Sequence, residues 1–234
     1  MAFLNCFATS SQTIYSSVGL LTGMYLTTDI YEPFRDNLLD KDFTTLAEYL
    51  GGFGYYTMAF LTNGNYIGRK GFEQGLNYSY FYNVDTKQLT NAALNFLQHK
   101  RPKNKPLFIW MHYVDTHIPY NFREEYFKIF EGERLYKEND KILKLKPKSV
   151  DINEYLSEWS SKGYIPPAAF HKDKYSLNYY IVCYDAAVLY VDLQIGNLIN
   201  NMKDNSIIIL TADHGESLGE HNIYLAHGEN IYDE

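Results

Sequence analysis

Asn205-Ser-Ile-Ile-Ile-Leu210-Thr-Ala-Asp213-His214-Gly215-Glu216 is the stretch on which the fold is decided. Four successive apolar residues, Ile207 to Leu210, predict a buried parallel strand. That strand stops at a carboxylate and an imidazole. Ligands of open α/β sheets collect at the carboxyl ends of such strands. Asp oxygen and His nitrogen both suit a divalent cation of the zinc or manganese type. Gly215 lets the backbone turn away sharply, and Glu216 falls within the next turn. The plainer alternative is a strand end capped by polar residues. A second His-Gly pair, His227-Gly228, weighs against it.

Outward from this strand, helical and extended patterns alternate. Thr13 to Thr22 starts small and polar and then turns apolar, which predicts a loop feeding a helix, with Ser16 or Ser17 as its cap. In Thr44-Thr45-Leu-Ala-Glu48-Tyr-Leu50-Gly51-Gly52 a threonine caps a helix, Glu48 completes a capping box and the glycines end it. Tyr55 to Leu61 reads as a strand. Lys87 to His99 is a helix with Leu89, Ala92, Ala93, Phe96 and Leu97 on one face. Pro106 to Met111 reads as a buried strand, and Tyr179 to Met202 as a long amphipathic helix leading to Asp213. Its apolar surface is expected from Val182, Ala186, Leu189, Val191, Leu193, Ile195, Leu198 and Ile199. Between them, Glu124 to Lys174 is charged and tyrosine-rich, an insertion covering one end of the sheet. The alternation, with no internal repeat, predicts an α/β fold with a largely parallel central sheet flanked by helices.

The 234 residues are enough to bury a core, and 46% hydrophobic with 21% charged residues is ordinary for a globular chain. A net charge of −7 argues against nonspecific nucleic-acid binding, which requires neutralising phosphates. It leaves an anionic substrate open, because a bound metal can dominate the local field. Cys6 and Cys183 stand far apart without metal-ligand spacing, so both are expected to be ordinary buried thiols. No apolar run approaches the roughly 20 residues of a membrane span, so no span is expected. The N-terminus lacks a signal-peptide pattern. Asn230 to Glu234 end without a terminating signal, so truncation is the expectation.

Four polar clusters fall at strand ends or loops: Thr13 with Ser16, Asp115 with His117, Asp213 with His214, and His227. His117 lies in His112-Tyr-Val-Asp115-Thr-His117-Ile-Pro119-Tyr120, where Pro119 restricts Ile118 and stiffens the loop. A lone surface histidine is usually structural; several polar clusters at carboxyl ends are less easily so explained.

These segments together resemble the sulfatase branch of the alkaline phosphatase superfamily. Ser11-Gln-Thr13-Ile-Tyr-Ser16-Ser-Val-Gly-Leu-Leu-Thr22-Gly23 resembles the nucleophile loop and its helix. Thr45 to Leu50 with Gly54-Tyr-Tyr-Thr57, and Gly71-Phe-Glu-Gln-Gly75-Leu76, are similar to two further family pieces. Asp115-Thr-His117-Ile-Pro119-Tyr120 is similar to Asp-x-His-x-Pro-Tyr. Tyr184 to Gly196, then Asp213-His-Gly-Glu216 and His227-Gly228, follow in the family's order. The resemblance implies an alkaline-phosphatase-like catalytic domain over residues 1–234, incomplete at both ends, with an insertion at about 124–174.

By this resemblance Thr13 is the nucleophile and, with Asp213 and His214, a metal ligand. His117 contacts the anionic group, with Ser16 and Asp115 on the substrate side, and His227 lies near the leaving group. The metal is manganese, zinc, calcium or magnesium, and the Asp-His pair leans toward manganese or zinc. A cation can activate the poorly nucleophilic threonine hydroxyl and neutralise the transferred oxyanion. An imidazole can protonate the departing alkoxide. Threonine stands where many sulfatases have the cysteine that becomes formylglycine, and Ser17 stands where the motif has arginine. No match is found for the family's first strand and its metal-binding aspartates.

Two readings follow. One is a metal-dependent hydrolase of sulfate or phosphate esters, small or glycan- or lipid-linked, or a phosphoethanolamine or phosphoglycerol transferase, since threonine favours phosphorus. The other is a non-catalytic sulfatase-like fragment. The resemblance implies an extracytoplasmic or membrane-associated place for the full-length protein.

Overall fold

Strand β1, Tyr56–Leu61, is the centre of the sheet, and its alternation shows why. Met58 and Phe60 go to one face, Ala59 and Leu61 to the other, and all four are fully buried. Two parallel strands flank it, β2 (Tyr78–Phe81) and β3 (Leu107–His112), in the order β2-β1-β3. On one face Ala59 and Leu61 pack with Val18 and Leu21 of helix α1 (Thr13–Thr22) and with Phe72. On the other, Met58 and Phe60 meet Leu89, Ala93 and Phe96 of helix α3 (Thr86–His99). Helices on both faces of a parallel sheet are the arrangement expected from the alternating pattern. The computed structural model describes residues 2–25, 34–35, 38–62, 70–134, 140–145, 163–165, 169–171, 173–202 and 205–227. Within it the sheet belongs to the first of two compact units, residues 1–114 with 197–214.

Helix α2, Leu46–Gly52, starts at the expected cap. Thr45 accepts from the Glu48 amide, and the Glu48 carboxylate accepts from the Thr45 amide, a complete capping box. The turn at Gly71 to Gly75 packs against this helix start. Gly75 has φ of +78° and its missing side chain would lie 2.4 Å from the Glu48 nitrogen, while that of Gly71, at +88°, would lie 2.7 Å from the Leu39 nitrogen. Both the left-handed conformation and the close approach require glycine.

The structure departs from the expected elements in five places. Helix α1 begins at Thr13 with Gln12 as N-cap and no side-chain cap. Ser16 and Ser17, expected as caps, are buried within its first two turns. Strand β2 went unread because Tyr-Ser-Tyr-Phe carries only a short, aromatic alternation. Strand β3, expected to be buried, is half-buried along its whole length, because it is an edge of the described sheet. Ser206 to Leu210 is not a strand: it forms no ladder, and Ile207 and Ile209 are 92% and 84% exposed. An apolar run specifies a strand only where a neighbouring edge accepts its hydrogen bonds, and none among the described residues does.

The second unit comprises residues 115–196 and 215–234. Helix α4 (Glu124–Arg134) and helix α5 (Leu177–Asn200, its last turn counted with the first unit) form its helical part. Two short parallel strands, β4 (Lys144–Leu145) and β5 (Tyr164–Ile165), and an antiparallel hairpin, β6 (Ser217–Leu218) with β7 (Tyr224–Ala226), complete it. Its core is aromatic, with Tyr120, Phe127, Tyr179 and Tyr180 around Leu143, Ile165 and Val182. The fifth departure lies here. Of the predicted face of α5 only Val182, Ala186 and Leu198 are buried; Tyr179, Tyr180, Cys183, Ala187 and Tyr190 supply the rest with Leu177, and Leu193 is exposed, since amphipathic tyrosines bury their rings readily. By length and composition α5, read from sequence as an amphipathic helix and not as a span, is long and apolar enough to cross a membrane (mean hydropathy 1.2). Of the insertion at 124–174, residues 135–139, 146–162, 166–168 and 172 lie outside the described ones, as does Gly228.

Candidate active site

In the first unit, the helix that begins at Thr13 and the segment that ends at His214 bring the predicted residues together. Thr13 Oγ1 lies 2.9 Å from His214 Nε2. Ser16, one turn on, donates its hydroxyl to the Asp213 carbonyl at 2.5 Å, which ties the helix to the Asp-His segment. Asp213 Oδ2 is 3.5 Å from His214 Nε2 and 3.9 Å from His112 Nε2. Thr13, Ser16, Asp213 and His214 therefore form one cluster, where the sequence pattern had offered two, Thr13 with Ser16 and Asp213 with His214. Its remaining member, His112, was missed. The signal was present: His112 ends strand β3, and the carboxyl-end argument applied to Asp213 applies equally to it.

The electrostatics of this cluster favour an anion. Burial alone would raise the Asp213 carboxyl, but the imidazoles of His112 and His214 and the Thr13 hydroxyl prevail and hold it well below the usual carboxylate range. Yet Asp213 Oδ2 is buried with no hydrogen-bond partner, and so is His112 Nδ1. A buried, ionised carboxylate oxygen without a donor fits a cation. Asp213 Oδ2, His214 Nε2 and Thr13 Oγ1 fit a divalent metal as a partial ligand set. Among the described residues no group of three or more His, Cys, Asp or Glu is placed to hold one.

A second cluster belongs to the second unit. Asp115 is buried and paired with Arg123, whose guanidinium carbon lies 3.6 Å from the centre of the Tyr190 ring. The pair anchors the loop that carries His117. His117 is exposed; its Nδ1 lies 2.5 Å from the Ile118 carbonyl oxygen, and its ring stands edge-to-face with that of His227, centroids 4.8 Å apart. His227 Nδ1 in turn contacts Glu216 Oε2 at 3.3 Å. Of the predicted residues, the structure thus gathers Asp115, His117 and His227 in this unit. Arg123 and Glu216 were given no role from sequence: their partners lie 8 and 11 positions away, and a spacing across loop or hairpin ends carries no helix or strand period.

Comparison with known proteins places the chain in a family and a fold. A family profile described as Sulfatase matches residues 1–234. Iduronate 2-sulfatase of Mus musculus is 28% identical over 149 residues, covering 58% of this chain and 26% of that protein. The uncharacterized sulfatase YidJ of Escherichia coli (strain K12) is 27% identical over 154 residues, covering 63% and 28%. The chain thus matches little more than a quarter of the length of these curated relatives. Among solved structures, BT4656 in complex with D-glucosamine-2-N,6-O-disulfate superposes with a TM-score of 0.63 at 22% identity, covering 94% of this chain and 59% of that one. The phosphonate monoester hydrolase of Agrobacterium radiobacter gives 0.65 at 15% identity, covering 97% and 57%. These likenesses place the fold among the alkaline-phosphatase-like α/β domains, and the match along its whole length shows that the chain belongs to the sulfatase family.

Proposed function

We propose that this chain carries the nucleophile and part of the cation-binding set of a metal-dependent hydrolase of sulfate or phosphate esters. The observation that carries the reading is the contact of Thr13 Oγ1 with His214 Nε2 at 2.9 Å, beside an ionised Asp213 oxygen that lacks a donor. Thr13 is also the first residue of α1, where aligned peptide dipoles favour an anionic group. When bound by Asp213, His214 and Thr13, the divalent ion would stabilise the threonine alkoxide and the charge on the transferred group.

Thr13 Oγ1, its proton lost to solvent, bonds to the sulfur or phosphorus as the bond to the ester oxygen breaks. That oxygen departs with a proton. Water then attacks the Thr13-bound group, releasing sulfate or phosphate and restoring the hydroxyl. Ser16 acts by holding the Asp213 backbone. For the second cluster the order of motifs supports the roles: His117 to hold the anionic group and His227 to protonate the leaving oxygen. Asp115, expected on the substrate side, works through the loop it anchors with Arg123.

Threonine at position 13 favours phosphorus, and with it transfer of phosphoethanolamine- or phosphoglycerol-type groups. The second reading is a non-catalytic relative, since among the described residues the ligand set is partial. The test assays 4-nitrophenyl sulfate, a phosphate monoester and a phosphodiester with Mn, Zn, Mg or Ca, beside Thr13→Ala and Asp213→Ala. We expect metal-dependent turnover that both substitutions reduce at least 100-fold, on the scale of a lost nucleophile or activating ligand. Turnover indifferent to Thr13→Ala sinks the nucleophile assignment. No turnover together with no metal binding by calorimetry leaves the non-catalytic reading.

A further inference from the structure

Glu216 and His227 flank the open end of the β6-β7 hairpin. Ser217 pairs with Ala226, so the next residues outward, Glu216 and His227, face each other by register. The hairpin is irregular: its register shifts between Ser217 and Leu218, and Leu225, 1% exposed, has φ of +54°. A buried leucine in the left-handed region is strained and is held there by its surroundings. Such irregularities re-aim the side chains next to them, and here the residue two positions on is His227.

The carboxylate itself is unusual. The Glu216 side chain is 5% exposed, and its Oε2 lies 3.3 Å from His227 Nδ1. Its Oε1 is buried and unpartnered. The hydroxyl of Tyr120, also buried, has no hydrogen-bond partner either. A carboxylate buried for stability alone would be expected to have both oxygens satisfied. This one is satisfied at the imidazole and left wanting at the other oxygen.

We propose that Glu216 is the positioning residue for His227. It holds the Nδ1 proton, and with it the ring's orientation, so that Nε2 is the nitrogen that exchanges a proton with a bound group. A carboxylate oxygen can only accept, so a neutral His227 in this contact carries its proton on Nδ1. Carboxylate–imidazole pairs that fix a tautomer in this way recur in acid–base sites. The link to leaving-group protonation rests on the ester-cleavage reading above; the pairing itself does not.

The experiment is ¹⁵N NMR of the histidine rings of the full chain, recorded well above the ordinary imidazole pKa of about 6.5, with His227→Gln to assign the signal. Neutral His227 is expected to be protonated at Nδ1. Glu216→Gln, which keeps an acceptor oxygen, should preserve that tautomer, and Glu216→Leu should lose it. A wild-type ring protonated at Nε2 overturns the proposal, and so does a Glu216→Leu ring unchanged from wild type. The wild-type spectrum decides the first point even where Glu216→Leu fails to fold. In the kinetic arm, Glu216→Leu should lower kcat about tenfold or more for an alkyl ester. It should spare 4-nitrophenyl esters, whose leaving group needs no proton, and change KM little. Equal loss on both esters overturns the proposal. Absence of turnover on every ester defeats the ester-cleavage reading, while the spectra still decide the pairing.

Discussion

At Cys183, burial sets the chemistry of a single residue. The thiol is 1% exposed, and burial pushes it up to about 12. Cys6, the other cysteine, is exposed rather than buried as expected. Because the thiolate is the nucleophile, a disulfide reagent at pH 8 should label one thiol per folded chain and two in denaturant. Two fast equivalents in the folded protein would contradict the burial. The sign of the linkage follows. A neutral thiol favoured by the fold contributes fully below the unfolded pKa of about 8.5, and the contribution is lost as pH rises toward 12. Stability should therefore fall between about pH 9 and 12, and less steeply in Cys183→Ala, read by urea denaturation across that range.

At the scale of elements, the junction of α2 with the Gly71–Gly75 turn shows what local sequence can specify. Thr45 caps α2 by its side-chain oxygen and also donates its hydroxyl to the Gln74 carbonyl at 2.9 Å. Thr45→Ala should therefore destabilise the fold by about 1–2 kcal/mol, the upper part of the range for a lost cap. Gly75→Ala should do worse. Its methyl would meet the Glu48 backbone and sit at a left-handed φ, so a loss above about 2 kcal/mol is expected by thermal or urea melting. A Gly75→Ala protein as stable as the parent would show that the turn can move away from the helix. The capping box was legible because its residues are three apart; the Gly75 contact was not, because its partner is 27 positions distant.

At the scale of the molecule, an exposed apolar row among the described residues is the run Ile207 to Leu210. Ile207, Ile209 and Leu210 are 92%, 84% and 68% exposed, an apolar row of the kind that marks an interaction or aggregation site. At raised concentration the chain should self-associate, and Ile207→Lys with Ile209→Glu should suppress this without changing far-UV circular dichroism. Light scattering that finds the parent chain monodisperse would refute it. The curated relatives extend well beyond the part aligned here, and the activity of a whole protein is accordingly a matter for the assays above.

The sequence by itself determined the alternation of helices and strands, the largely parallel sheet, the capping of α2, and the motifs, in their order, that carry Thr13, Asp213 and His214. All of these rest on short-range periodicity, on local capping chemistry or on motifs in a fixed order. Tertiary structure decided which strands are central and which are edges, and so why β3 is half-buried and Ile207–Leu210 unpaired. It alone revealed His112 beside Asp213, Arg123 on Asp115 and Glu216 against His227. Pairing and burial depend on what the rest of the chain brings alongside, and a hydrogen bond between residues 201 positions apart, such as that of Thr13 with His214, has no signature in spacing.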